Sequence, residues 1–143
     1  MRYPSYILVV IMSTFAMAAY AASGSTIAPI KIQGTTKVDA EGVFKSASEI
    51  PDLIIIDARI RMDRLQGYIE SSISLPDTET TCESLATVIS HLHTPVLFYC
   101  NGPKCGRSVK SIGYAKKCGY DNVFWFRGGF EEWKLKGFPY IKD

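Results

Sequence analysis

The residues with the most reactive potential sit together in Cys100-Asn101-Gly102-Pro103-Lys104-Cys105-Gly106-Arg107-Ser108. A thiol is a nucleophile only as its thiolate, and neighbouring cations or a helix N-terminus lower its pKa from about 8.5 to between about 3.5 and 7.5. Both influences are expected here. Lys104 and Arg107 bring full positive charge, and a helical pattern begins near Arg107 or Ser108, whose N-terminus adds about half a charge. Gly102 and Gly106 free the loop amides to turn inward and hold an anion. The bland alternative is a small buried thiol that merely ends a strand. Two glycines, a proline, two cations and a second thiol within the eight residues from Cys100 to Arg107 favour chemistry. Cys100 is therefore the expected nucleophile.

Such a loop must be presented by something rigid. Cys100 follows Pro95-Val96-Leu97-Phe98-Tyr99, and similar apolar runs occur at Leu53–Asp57 and Asn122–Phe126, with a shorter one at Ser72–Leu75. Runs this apolar read as strands buried on both faces of a parallel sheet. Helical spacing falls between them, over Thr81–Leu92, Ser108–Cys118 and Phe130–Lys136. Strand–helix alternation gives an α/β fold with helices on both faces of the sheet. Val38–Ser48 reads as a short extended piece followed by a helical turn. In open α/β sheets ligands bind beyond the carboxyl ends of the strands, which is where Cys100 falls.

The first residues carry another signal. Arg2 precedes the uncharged run Tyr6–Ala19, and Ala19-Tyr20-Ala21 offers the small residues a signal peptidase requires. Residues 1–21 are read as an export signal cleaved after Ala21, rather than as an anchor, because the run is short for about 30 Å of hydrocarbon. A periplasmic or secreted location follows, with no stable membrane insertion after cleavage. Residues 22–37 read as a flexible leader and residues 38–143 as one domain. The formal charge of the whole chain is +2, and loss of Arg2 lowers it by one. That excludes the electrostatic footprint of a nucleic-acid binder.

Four cysteines in an exported chain are few for a disulfide scaffold. Cys82 and Cys118 stand as a candidate structural bridge or as separate thiols. Asp57 and Arg59 end a neighbouring strand and are candidates to support the site from behind, Asp57 as an acceptor for loop amides and Arg59 as an anion contact or an ion-pair partner. Arg64 belongs to a charged loop that could face the substrate mouth. His91 and His93, two apart, do not share a helical face, so no metal site and no cofactor are expected.

These pieces resemble, in order, a single rhodanese domain. Leu53-Ile54-Ile55-Ile56-Asp57-Ala58-Arg59 is similar to the family's strand ending in Asp-x-Arg. The segment Gln66–Pro76 resembles its Gly-His-Ile stretch, with Tyr68 in place of His. Val96–Ser108 resembles the strand and active-site loop, and Gly119–Val123, Arg127-Gly128-Gly129-Phe130, Trp133 and Gly137-Phe138-Pro139 resemble the C-terminal signature. The resemblance implies a parallel sheet of about five strands and a sulfurtransferase in which Cys100 takes sulfur from a donor such as thiosulfate as a persulfide. A thiol or cyanide would accept it. Asn101, Gly102, Lys104, Cys105, Gly106 and Arg107 would bind the donor.

The chain departs from the family's pattern at two points. Arg107 is seven residues after Cys100, where rhodanese loops place it five after and related phosphatase loops six after. Cys105 is additional. It could attack a Cys100 persulfide, release sulfide and leave a disulfide, or it could be passive. Two other functions therefore stay open: a thiol-redox or persulfide-relay protein with a thiol-redox partner, and a non-enzymatic module binding anions or soft metals. A phosphatase is weaker, because the loop itself contains no Asp to protonate a leaving oxygen.

Overall fold

The computed structural model describes residues 27–142, so the expected export signal lies outside the described residues. In chain order the elements are β1 (Thr36–Val38), α1 (Ala40–Glu49), β2 (Ile54–Asp57), α2 (Arg61–Arg64), β3 (Ile73–Ser74), α3 (Cys82–Val88), β4 (Val96–Tyr99), α4 (Arg107–Lys117), β5 (Val123–Phe126) and α5 (Gly129–Leu135). Among the described residues the five strands pair in parallel, in the order β1-β5-β4-β2-β3, and Tyr68 and Ile141 form an isolated antiparallel bridge outside them. The expected α/β architecture with about five strands is what forms.

Successive side chains of a strand point to opposite faces, and this alternation divides the core in two. Val96 and Phe98 pack with Ile56, Val123 and Trp125 against Leu85, Ile112 and Ala115, on the α3–α4 side. Leu97 and Tyr99 pack with Ile55 and Phe126 against Ala40, Val43, Phe130 and Trp133, on the α1–α5 side. All four residues of β4 are buried, as expected for a strand covered on both faces.

Three boundaries differ by more than one residue from the sequence reading, and the charged segment around Arg64, expected as a loop, forms the short helix α2. Val38–Ser48 is dominated by a full helix, α1, started by the Asp39 carboxylate accepting from the Gly42 amide. Thr36 and Lys37, placed in the leader, belong to β1 and pair with Phe124 and Trp125 of β5. Helix α3 begins with a Thr81–Ser84 capping box but ends at Val88, not Leu92. Ile89 adopts an extended backbone there while its side chain stays in the core, so apolar spacing persists after the helix has stopped. Cys82 and Cys118 are joined, tying the start of α3 to the C-cap of α4 with their Cα atoms 5.4 Å apart.

Candidate functional site

β4 is the middle strand, so Cys100 stands at the centre of the sheet's carboxyl edge, and it is 2 % exposed. The backbone around it is clamped from the next turn of the chain. The first amides of α5, from Phe130 and Glu131, donate to the carbonyls of Cys100 and Asn101 at 2.9 and 2.8 Å. This close approach requires Gly129, whose φ is +61° and whose added Cβ would lie 2.7 Å from the Asn101 carbonyl. Gly102 has a related constraint, because a Cβ there would meet the Glu131 side chain. From Gly102 the chain turns back, with the Cys105 amide donating to the Gly102 carbonyl at 2.9 Å.

The turn delivers the chain to α4. Its N-cap is Gly106, and no side chain caps it. Among the described residues, the amides of Gly102, Lys104 and Gly106 to Val109 donate to no acceptor. Helix N-termini leave such donors orphaned, and a bound anion satisfies them. Ser108, in the first turn of α4, accepts from Trp125 Nε1 at 3.1 Å, which fixes the helix against β5. Trp125 and Phe126 are both fully buried, one in each half of the core.

Cys105 returns to Cys100. The two are joined by a disulfide, with Cα atoms 6.2 Å apart. Cys105 is half-buried, whereas Cys100 lies beneath it.

The charges are arranged less simply than the sequence suggests. Arg107 Nη1 lies 3.2 Å from Asp77 Oδ1, and Lys110 Nζ lies 3.1 Å from Asp77 Oδ2. Asp77 is 9 % exposed and follows β3 at the same edge of the sheet. The Asn101 side chain donates to Asp63 at 2.7 Å. Lys104 is exposed and, among the described residues, forms no ion pair. Asp63, Asp77 and Glu131 thus border the loop, and sequence reasoning assigned none of them a role. Their distances of about 30 or more positions from their partners leave no local signal for the contacts.

Asp57 and Arg59 form a buried core beside the loop rather than a part of it. Asp57 accepts from the Arg59 guanidinium at 2.8 and 2.7 Å, from Arg64 at 3.1 Å and from the Tyr99 hydroxyl at 2.8 Å. It accepts the Arg59 amide as well, and no amide of the Cys100 loop among the described residues. Burial works against the charge on Arg59, but the Asp57 carboxylate outweighs it and holds the pKa above the ordinary arginine value. Arg59 also donates to the Gly67 carbonyl and lies 4.3 Å over the Phe130 ring. Arg64 is turned inward, onto Asp57, Ser72 and the face of Tyr68. Burial, then the Asp57 charge, pushes the Tyr99 phenol up, with Arg59 partly opposing. Tyr99 therefore stays a donor to Asp57.

The chain before β1 reaches the same place. Ala28 is buried and its amide donates to the Pro103 carbonyl at 2.8 Å, while Arg127 holds the Ala28 and Pro29 carbonyls at 3.0 and 2.7 Å. The part of the leader that is described is thus bonded to the Cys100 loop.

Comparison with known proteins agrees with this architecture. A protein of Allochromatium vinosum named Sulfurtransferase is 24% identical over 107 residues, which cover 73% of this chain and 94% of that one. The BH2092 protein of Bacillus halodurans superposes with a TM-score of 0.67 at 18% identity, over 76% of this chain and 77% of that one. Thiosulfate sulfurtransferase of Pseudomonas aeruginosa gives a TM-score of 0.65 at 22% identity, over 76% of this chain and 20% of its own. The model of the rhodanese-like domain family matches residues 42–136, from the first turns of α1 through α5 and the whole Cys100 loop, and this chain belongs to that family.

Proposed function

We propose that this protein is a sulfurtransferase that carries sulfane sulfur as a persulfide on Cys100. The observation that carries this reading is the setting of that sulfur atom. It lies at the end of the central strand, beside a helix N-terminus with no side-chain cap and loop amides that have no acceptor among the described residues. Those donors favour a thiolate over a thiol, and they equally favour a persulfide anion or a bound sulfur oxyanion. The sulfurtransferase relatives support sulfur as the transferred atom.

With thiosulfate as donor, the reduced Cys100 thiolate attacks the outer sulfur. The donor's S–S bond breaks and sulfite leaves with the electron pair. The Cys100 persulfide is then attacked at its outer sulfur by a thiol or cyanide, and Cys100 departs as the thiolate. Asn101, Gly102, Lys104, Gly106 and Arg107 surround the donor in this scheme, the amides holding its oxygens and Lys104 supplying the free charge. Asp57 and Arg59 act on the site by fixing the strand ends around it. Export through residues 1–21 belongs to the same proposal, on the strength of the uncharged run Tyr6–Ala19 and the small residues before Ala22.

The test is direct. Reduced protein mixed with thiosulfate should release sulfite, and Cys100→Ser should release none. Sulfite formation by Cys100→Ser at the wild-type rate would remove Cys100 from the chemistry. Amino-terminal sequencing of the protein recovered from the periplasm or medium should begin at Ala22.

A further inference from the structure

We propose that Cys105 is the resolving thiol of this site: it expels the Cys100 persulfide sulfur as sulfide and makes an external dithiol the co-substrate. The inference rests on the proposed role of Cys100 and extends it to the fate of the sulfur.

The two disulfides of the chain differ in what they join. Cys82–Cys118 links two helices across a separation of 36 residues, away from the carboxyl edge of the sheet. Cys100–Cys105 spans a separation of only five, inside a loop already held by the Phe130, Glu131 and Cys105 amides. A short bridge across a segment so well fixed adds little to chain ordering. What it does is cover the nucleophile.

The geometry also assigns a direction to the exchange. Cys100 is buried and its carbonyl is bound by α5, so it is the stationary partner. Cys105 is half-buried and sits between the Gly102 turn and the N-cap Gly106, whose amide donates to no acceptor among the described residues. A side chain that reaches Cys100 Sγ to form a disulfide also reaches the inner sulfur of a Cys100 persulfide, since that is the same atom.

The step balances without any added oxidant. The Cys105 thiolate attacks Cys100 Sγ, the bond to the outer sulfur breaks, and that sulfur leaves as hydrosulfide with the electron pair. The proton given up by Cys105 accompanies it. The sulfane sulfur gains two electrons, and the thiol pair loses two in forming the bridge. Reopening requires a dithiol. Its first thiolate attacks the more accessible Cys105 sulfur, as access directs thiol–disulfide exchange. Cys100 leaves as the thiolate, stabilised by the loop amides. The second thiol of the reductant then closes on the first and frees Cys105. Net turnover converts a sulfane donor and a dithiol into the desulfurated donor (sulfite when thiosulfate is used), sulfide and a disulfide. When the dithiol is absent, the bridge keeps Cys100 from accepting sulfur.

A single turnover separates this from simple sulfur carriage. Full-length protein is reduced, freed of reductant under nitrogen and mixed with one equivalent of thiosulfate. Sulfite, sulfide and intact mass are followed, and peptide mapping locates bridges. Wild type is expected to release one sulfide per sulfite, retain no sulfur and end with Cys100 joined to Cys105. Cys105→Ser and Cys105→Ala, two variants in case one folds poorly, should release sulfite but no sulfide and keep one extra sulfur on Cys100. If wild type also keeps the sulfur, on either cysteine, and releases no sulfide, Cys105 is not the resolving thiol while the sulfurtransferase reading stands. If neither wild type nor variants release sulfite, both proposals fall.

Discussion

Gly129→Ala probes whether the Cys100 loop is held by close backbone approach. The residue has φ +61°, and a left-handed backbone costs an L-residue about 1–2 kcal/mol. The new methyl would also sit 2.7 Å from the Asn101 carbonyl and closer still to that of Cys100. These are backbone atoms that cannot swing aside. Relief must come from separating α5 from the loop, which weakens the two bonds from the Phe130 and Glu131 amides, each worth about 1 kcal/mol net. The combined loss is about 3–4 kcal/mol. Urea unfolding of matched oxidised samples measures it, and sulfite release after reduction reports whether Cys100 has shifted. Gly113→Ala is the control of opposite sign. Gly113 lies in exposed helix with nothing within 4 Å of an added Cβ, so the substitution should stabilise by about 0.5–1 kcal/mol. A loss below about 1 kcal/mol for Gly129→Ala, with wild-type sulfite release, would refute the clamp.

Two further outcomes are expected. Removing the helix-to-helix bridge with Cys82→Ala and Cys118→Ala together should lower stability by about 4 kcal/mol, the chain-entropy value for its separation, and leave sulfite release by the reduced protein unchanged; a large drop in release would place that bridge in the site. Burial raises the folded-state pKa of Tyr99 above the unfolded value near 10. Folding thus favours the protonated phenol, and its contribution is complete below about pH 10 and declines as pH rises toward the folded value. Tyr99→Phe should cost about 1–3 kcal/mol at neutral pH through the lost bond to Asp57 and should show a shallower alkaline loss of stability than wild type in denaturant titrations at each pH.

Much of this was legible from residue patterns. β4 and β5, and β2 as far as Asp57, are continuous apolar runs because both faces of the sheet are covered, and runs of that kind survive any choice of partner. Cys100 could be placed at the carboxyl edge for the same reason. β1 was harder, because Thr36 and Lys37 are exposed edge residues whose strand state comes from pairing with β5 rather than from their own preference. The end of α3 was obscured by Ile89, which keeps helical spacing in sequence while leaving the helix in space. The site's charge pattern was not legible at all. Nothing near Arg107 in sequence announces Asp77, 30 positions away, and nothing near Asn101 announces Asp63. Sequence shows which side chains carry charge, whereas the fold decides which charges are already spent on one another.

Arg107 and Lys110 share Asp77, Arg59 and Arg64 share Asp57, and Arg127 is taken up by the Ala28 and Pro29 carbonyls. Among the described residues, Lys104 is the loop cation that forms no ion pair. Attraction for a donor anion then resides mainly in the amides of Gly102, Lys104 and Gly106 to Val109, which are fixed dipoles held at short range. Exposed full charges are screened beyond about 10 Å at 0.1 M salt, but short-range amide bonds are screened far less. With thiosulfate as the proposed donor, its KM should accordingly vary only weakly between low and moderate ionic strength, by about twofold or less. Asp77→Asn should release Arg107 and Lys110 toward the loop, lowering KM at low salt and making it rise steeply as salt is added. If wild type already shows a steep salt dependence, full charge from Lys104 or the paired cations outweighs the amides in binding the donor, and the amide account fails. If Asp77→Asn leaves both KM and its salt slope unchanged, Arg107 does not face the anion.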